Sequence, residues 1–226
     1  MNRILLLIVF CWGPAVPAEA EDAMVSSLRP GELREFEQQS PEIQELLSYA
    51  LGLTERGLAY RFGSGDPRLG GMDCSGTVWH ILRHLGYAAP RSSNEIFLWL
   101  ENAGNLRRVR DPRKVDDPVF ASLRPGDLLF WEGTYAVGKR NPPTSHVMIY
   151  LGRLKEDGRP VMVGASSGRR FAGKVRHGVS VFDFVLPGPG ADSSFVGFGS
   201  VPGLEERPEP GGLRRLEAIL SRWKTP

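Results

Sequence analysis

An α+β fold is what this sequence predicts, on three observations: apolar segments of helical spacing come first, shorter runs of strand length follow, and the 27 glycines and 18 prolines cluster between those runs. Helices followed by strands favour an antiparallel sheet covered by helices on one side. With 226 residues, 41% hydrophobic and 24% charged, the chain has the composition of one globular domain rather than of a disordered or collagen-like polymer. Lys and Arg number 28 against 26 Asp and Glu, and a formal charge of +2 gives no electrostatic footing for nucleic acid as a partner.

The chain opens on a leader. Asn2 and Arg3 precede the apolar run 4–12, and Ala18-Glu19-Ala20 supplies an A-x-A cleavage site, so residues 1–20 read as a signal peptide. The mature chain is expected to begin at Glu21 and to be exported, periplasmic or extracellular. The run is shorter than the ~20 apolar residues that a spanning helix needs, no later segment reaches that length, and no stable membrane insertion is expected. Phe10, before Cys11, is too bulky for a lipid-attachment site. Removing the leader leaves Cys74 as the sole cysteine, so no intramolecular disulfide can form.

Residues 21–40 read as a linker with a short helix around 32–38. Ser40 as N-cap and Pro41 at the first position open a helix to about Arg56, with Ile43, Leu46, Leu47, Ala50 and Leu51 on one face. A second helix starts at the capping Asp73 and runs to Leu85, where Gly86 supplies a left-handed stop; Cys74, Val78, Ile81, Leu82 and Leu85 lie on its core-facing side. Ser92 and Ser93 cap a third helix over 95–100. Strands are predicted over 127–131, 146–151, 161–166, 179–186 and 195–201. The connections 101–122 and 132–145 are long, and such loops often shape the mouth of a site. The main domain thus spans 41–202, and 203–226 read as a Pro-rich hinge with a short amphipathic helix bearing Leu213, Leu216, Ile219, Leu220 and Trp223.

A cysteine at a helix start meets free amides and the positive end of the helix dipole, both of which favour the thiolate. Two readings of Asp73-Cys74-Ser75-Gly76 stand side by side: a small core cysteine behind a capping aspartate, or a nucleophile. An unpaired thiol in an exported, oxidising setting favours chemistry. A nucleophilic cysteine needs a base. Of the four histidines, His146 heads the apolar run 147–151, where a core strand can aim it at a helix end, although a lone strand histidine is often structural. His80 and His84 have the one-turn spacing of metal ligands, but they lie opposite the apolar face without an acidic third ligand and read as solvated surface. His177 sits in a basic turn and reads as exposed. No metal or organic cofactor is expected.

In chain order, Tyr60-Arg61-Phe62-Gly63, Asp73-Cys74-Ser75-Gly76, Pro90-Arg91-Ser92-Ser93, Leu123-Arg124-Pro125-Gly126-Asp127-Leu128 and the run from Ser145-His146 to Leu151-Gly152 resemble the segments of the NlpC/P60 family. The resemblance implies a papain-like α+β fold with the cysteine helix packed on an antiparallel sheet. It implies hydrolysis of amide bonds in bacterial cell-wall (peptidoglycan) peptides, often between D-glutamate and a diamino acid, through an acyl-enzyme. By that likeness Cys74 is the nucleophile and His146 the base, while the Cys74 backbone amide and the Tyr60 hydroxyl assist the oxyanion or substrate, with Ser75 as a further substrate-binding residue. The family's orienting residue, usually a histidine in an apolar-His-Ala-Ser pattern on the next strand, is replaced here by Gly164. Ser166, on the same strand face, is the candidate substitute, and an ordered water in the space beside Gly164 is the alternative. Two other functions fit these residues: a non-catalytic module that binds wall peptide, and an amidase or acyltransferase using the same Cys–His pair.

Overall fold

The computed structural model describes residues 24–110, 112 and 114–204, so the expected leader and the expected C-terminal helix lie outside the described residues. α1 (Pro41–Thr54) starts where Ser40 Oγ accepts the amide of Ile43 and Pro41 takes the first turn. α2 (Cys74–His84) is capped by the Asp73 carboxylate, which accepts the amide of Gly76. α3 (Ser93–Asn102) opens on a capping box in which Ser92 and Glu95 satisfy each other's amides. None of the helices among the described residues is long and apolar enough to cross a membrane.

β1 (Ala59–Tyr60) and β2 (Gly71–Met72) form a small parallel pair. β3 (Leu106–Arg108), β4 (Leu128–Glu132), β5 (Thr144–Arg153), β6 (Pro160–Phe171), β7 (Lys174–Asp183) and β8 (Ser194–Gly199) build a six-stranded antiparallel sheet in the order β3-β8-β4-β5-β6-β7. The α+β architecture is as the sequence predicts, with α2 packed on β5 and β6. Alternation along β5 sorts its side chains into two cores. Val147, Ile149 and Leu151 meet Leu46, Val78, Ile81 and Phe97 from the helices, whereas Met148 and Tyr150 point the other way and join Trp131, Phe182 and Phe184.

That second face is covered by connecting chain, and this corrects two expectations. The sheet is buried on both sides rather than covered on one, and much of the connection over 101–122 is built into the second core, through Val109 and Phe120, with Val115 and Val119 packed against them. A strand buried on both faces reads as a continuous apolar run, which is why β5 carries so few polar residues.

Residues 24–39 are part of the body and not a linker. Met24 bridges His177, the Ser26 amide donates to Ser180 Oγ, and the fully buried Leu33 bridges Leu154. The helix expected over 32–38 is instead two 3-10 turns, Pro30–Glu32 and Phe36–Gln38, because Leu33 is extended to pair with Leu154. β6 and β7 form a longer hairpin than their apolar stretches indicate: the ladder continues from Ser166–Gly178 out to Phe171–Lys174. His177 therefore lies in a strand, half-buried, with its amide on the Met24 carbonyl and Nδ1 3.2 Å from Ser167 Oγ.

Candidate active site

Three of the resembling segments meet at the Asp73 carboxylate. Oδ1 accepts the Gly76 amide at 2.5 Å and the Ser75 hydroxyl at 3.3 Å, and Oδ2 accepts the Gly63 amide at 2.8 Å. Arg91 closes both oxygens in a fork at 3.1 and 3.0 Å and donates to Ser75 Oγ at 3.0 Å. A Cβ on Gly76 would sit 2.1 Å from the Ser64 carbonyl oxygen, so glycine is what lets the preceding loop press on the first turn of α2. Ser75, which the resemblance assigns to substrate, is buried with its hydroxyl engaged in this network, and it does not line the cleft described below.

Cys74 stands at the first position of α2 and is 4% exposed. The β5–β6 ladder holds Ile149–Val163 and Tyr150–Met162 but is open on the His146 side of them. Tyr150 exchanges backbone hydrogen bonds with the chain leading into β4, so Ser145 and Val147, of opposite parity, turn their peptide groups toward β6. The thiol occupies that opened edge. Its Sγ lies 4.0 Å from the Ser145 carbonyl oxygen, and the amides of Val147, Ser75 and Cys74 favour its anion. Burial, followed by the Asp73 charge, outweighs them and pushes the thiol up to about 11. The lower pKa that the helix start favours is outweighed, since the dipole acts on a sulfur that has lost its water.

His146 sits opposite Trp131 across β4 and β5, with the rings edge to face at 5.7 Å. It is buried, and its Nε2 has no hydrogen-bond partner among the described residues. Burial, then the charge of Arg169, holds the imidazole well below its usual range, so the ring is neutral at neutral pH. Thiol and imidazole thus rest as two neutral groups. No hydrogen bond joins the two among the described residues, so proton transfer between them as the sulfur attacks requires the ring and the thiol to come into contact first.

Counting on from Ile149–Val163 sets Met148 opposite Gly164 and His146 opposite Ser166. A Cβ on Gly164 would lie 2.4 Å from Met148 Sδ. The thioether fills the space beside Gly164, which corrects the expectation of an ordered water there. Ser166 is buried and lines the same cleft as His146, but no hydrogen bond joins the two among the described residues. The ladder is already open at that level. Packing, rather than a polar third side chain, holds the ring.

A cleft of about 770 Å³ opens over these groups, walled by Tyr60, Phe62, Tyr135, His146, Ser166 and Arg169. Gly133, Thr134 and Tyr135 bring the connection over 132–145 to its rim, as its length and position imply. The Tyr60 proton is held well above the usual phenol range by burial, then by the charges of Cys74 and Asp73, so the hydroxyl is a neutral donor. His80 and His84 flank Tyr49, which bonds His80 Nε2 at 3.0 Å and stacks on His84 at 3.9 Å; no metal-binding cluster occurs among the described residues.

Sequence reasoning missed Arg169. Strict alternation from Ser166 would turn it away from the cleft, but Ser167 pairs with His177 and Arg169 with Arg176, leaving Gly168 as the extra residue of a bulge at φ +91°. The bulge returns Arg169 to the His146 face. There its guanidinium lies 4.4 Å over the Trp131 ring. A glycine inside a strand pattern was the available signal.

A model of the NlpC/P60 family matches residues 57–177, more than half of the chain and all of the cleft's central groups. Comparison with curated proteins finds no significant match. Among solved structures, a Staphylococcus aureus subsp. aureus Mu50 protein similar to a lipoprotein of the NLP/P60 family shares 19% identity at a TM-score of 0.41, covering 72% of this chain and 39% of its own. The peptidoglycan hydrolase RipB of Mycobacterium tuberculosis shares 22% at a TM-score of 0.38, covering 72% and 69%. An NlpC/P60 endopeptidase of Photobacterium damselae subsp. piscicida shares 17% at a TM-score of 0.42, covering 72% and 40%. This chain therefore spans about two fifths of the Staphylococcus and Photobacterium chains.

Proposed function

The chain belongs to the NlpC/P60 family, and on that premise we propose that it is an exported cysteine peptidase that hydrolyses amide bonds in peptidoglycan stem peptides. One observation carries the reading: the thiol at the start of α2 is buried against the backbone on both sides of His146, and His146 itself lines an open cleft. His146 takes the thiol proton as sulfur bonds to the scissile carbonyl carbon. The oxyanion receives the Cys74 amide and the Tyr60 hydroxyl. Collapse expels the amine, which leaves with the proton from His146, and water then cleaves the thioester to return the free thiol and a carboxylic acid.

A second reading is favoured by Met148 filling the space beside Gly164 and by His146 Nε2 having no hydrogen-bond partner among the described residues. On that reading the cleft binds wall peptide without cutting it. Mass spectrometry of peptidoglycan incubated with residues 21–226 separates the two. Cleaved stem peptides from the wild type and none from Cys74→Ala support the peptidase; intact wall that retains both proteins supports the binder. Export is tested by sequencing the N-terminus of secreted protein: Glu21 is expected, and Met1 or an acylated cysteine would sink this part.

A further inference from the structure

We propose that Arg169 is the anion-recognising residue of the cleft and that the substrate presents a carboxylate to it beside the bond attacked by Cys74, an inference that rests on reading the cleft as a peptide-cleaving site. The other half-buried arginines have partners: Arg91 holds Asp73, Arg153 holds Asp116, Arg159 holds Asp157 and Asp183, and Arg176 donates to Ser26 Oγ. Arg140, close by, donates to the Thr144 carbonyl. Arg169 makes no hydrogen bond and no ion pair through its guanidinium among the described residues, although Asp192 also lines the cleft.

An arginine without a counter-ion in a desolvated place is costly, and burial here lowers its pKa to about 10. The chain nevertheless builds the arrangement with a dedicated bulge at Gly168 and a stacking platform in Trp131. Stacking engages the guanidinium face and leaves its in-plane N–H groups, which match a carboxylate's two oxygens. The Trp131 ring that carries Arg169 also abuts His146, and the Arg169 charge is felt at the imidazole. A bound carboxylate would therefore lie in the cleft on the same ring that His146 meets, beside the base.

The test uses Cys74 as its own reporter in the full exported chain. Iodoacetate and iodoacetamide both alkylate sulfur with loss of iodide and differ in charge. The wild-type ratio of the iodoacetate rate to the iodoacetamide rate should exceed that of N-acetylcysteine about tenfold, the scale of one charge-assisted hydrogen-bonded contact. Arg169→Gln should abolish that excess, and Arg169→Lys should retain part of it. A wild-type ratio no higher than that of N-acetylcysteine overturns the proposal even if the glutamine variant does not fold. So does an equal loss with both reagents in Arg169→Gln, which would mark general electrostatic help to the thiolate. A second arm compares stem peptides carrying a free carboxylate or a carboxamide beside the scissile bond. The wild type should show the lower KM for the carboxylate, and Arg169→Gln should not discriminate. If no peptide is cut while the alkylation ratio behaves as stated, the peptidase reading fails and anion recognition stands.

Discussion

At Cys74 two opposing effects meet on one sulfur, and burial wins. Three backbone amides favour the thiolate, but desolvation and the adjacent Asp73 carboxylate hold the thiol protonated up to about 11. Iodoacetamide should thus label Cys74 slowly at pH 6 to 7 and faster as pH rises toward 11; a plateau already reached at pH 6 would reveal a standing thiolate–imidazolium pair instead. A second residue-scale prediction concerns Gly164. Replacing it by histidine alone forces the new side chain onto Met148 and should destabilise by about 1 to 3 kcal/mol, as overpacking does. Adding Met148→Gly should recover stability in urea titrations relative to the single variant; failure to recover would mean that Met148 is not the obstruction. The placement of Cys74 at a helix start and of Tyr60 and His146 beside a cleft is legible in the motifs around them, each with its own local geometry. The company of His146 could not, because it depends on which side chain of the neighbouring strand fills the gap beside Gly164.

At the scale of elements, the helices were legible and the long hairpin was not, for a common reason. Caps such as Ser40, Asp73 and Ser92 act within one turn and leave a local signature. The outer β6–β7 ladder is polar, held by backbone pairing that begins in the core and continues past it, so the basic stretch 174–177 gives no apolar pattern. The bulge at Gly168 reverses the alternation within that stretch and hides Arg169 from any period-two reading. Gly168→Ala places a β-carbon at φ +91°, with free space around it, so the cost is conformational and should come to about 1 to 3 kcal/mol. If Gly168→Ala melts with the wild type, the bulge is not a strained turn. The same dependence on distant pairing explains residues 24–39, which look like a linker until Leu33 finds Leu154. Leu33→Ala should cost about 2 to 5 kcal/mol, the range for truncating a buried leucine. A loss below half a kcal/mol in urea would return the segment to the role of a linker.

Among the described residues, a sheet buried on both faces was the least legible feature, because Val109, Val115, Val119, Phe120 and Leu123 cover the second face without a regular pattern of their own. That double burial sets how the body responds to pH. His146 lies in a strand shielded by the helix side and by the Trp131 side, and its imidazole is held well below the usual range by desolvation, then by Arg169. In the unfolded chain the same ring takes a proton near pH 6.5. The folded constant lies below the unfolded one, so the contribution of His146 is fully present above about pH 6.5 and is lost as pH falls toward the folded value, where the unfolded state alone gains the proton. Each pH unit across that window should cost about 1.4 kcal/mol from this single group. Thermal melts of the wild type should therefore decline more steeply between pH 6.5 and 5 than those of His146→Gln, whatever the offset caused by the substitution itself. Arg169→Gln, which removes the charge that disfavours imidazolium, should flatten the slope partway. Parallel slopes in wild type and His146→Gln would mean that the folded protein takes up the proton at its ordinary value, and the ring would then be solvated rather than buried against Trp131.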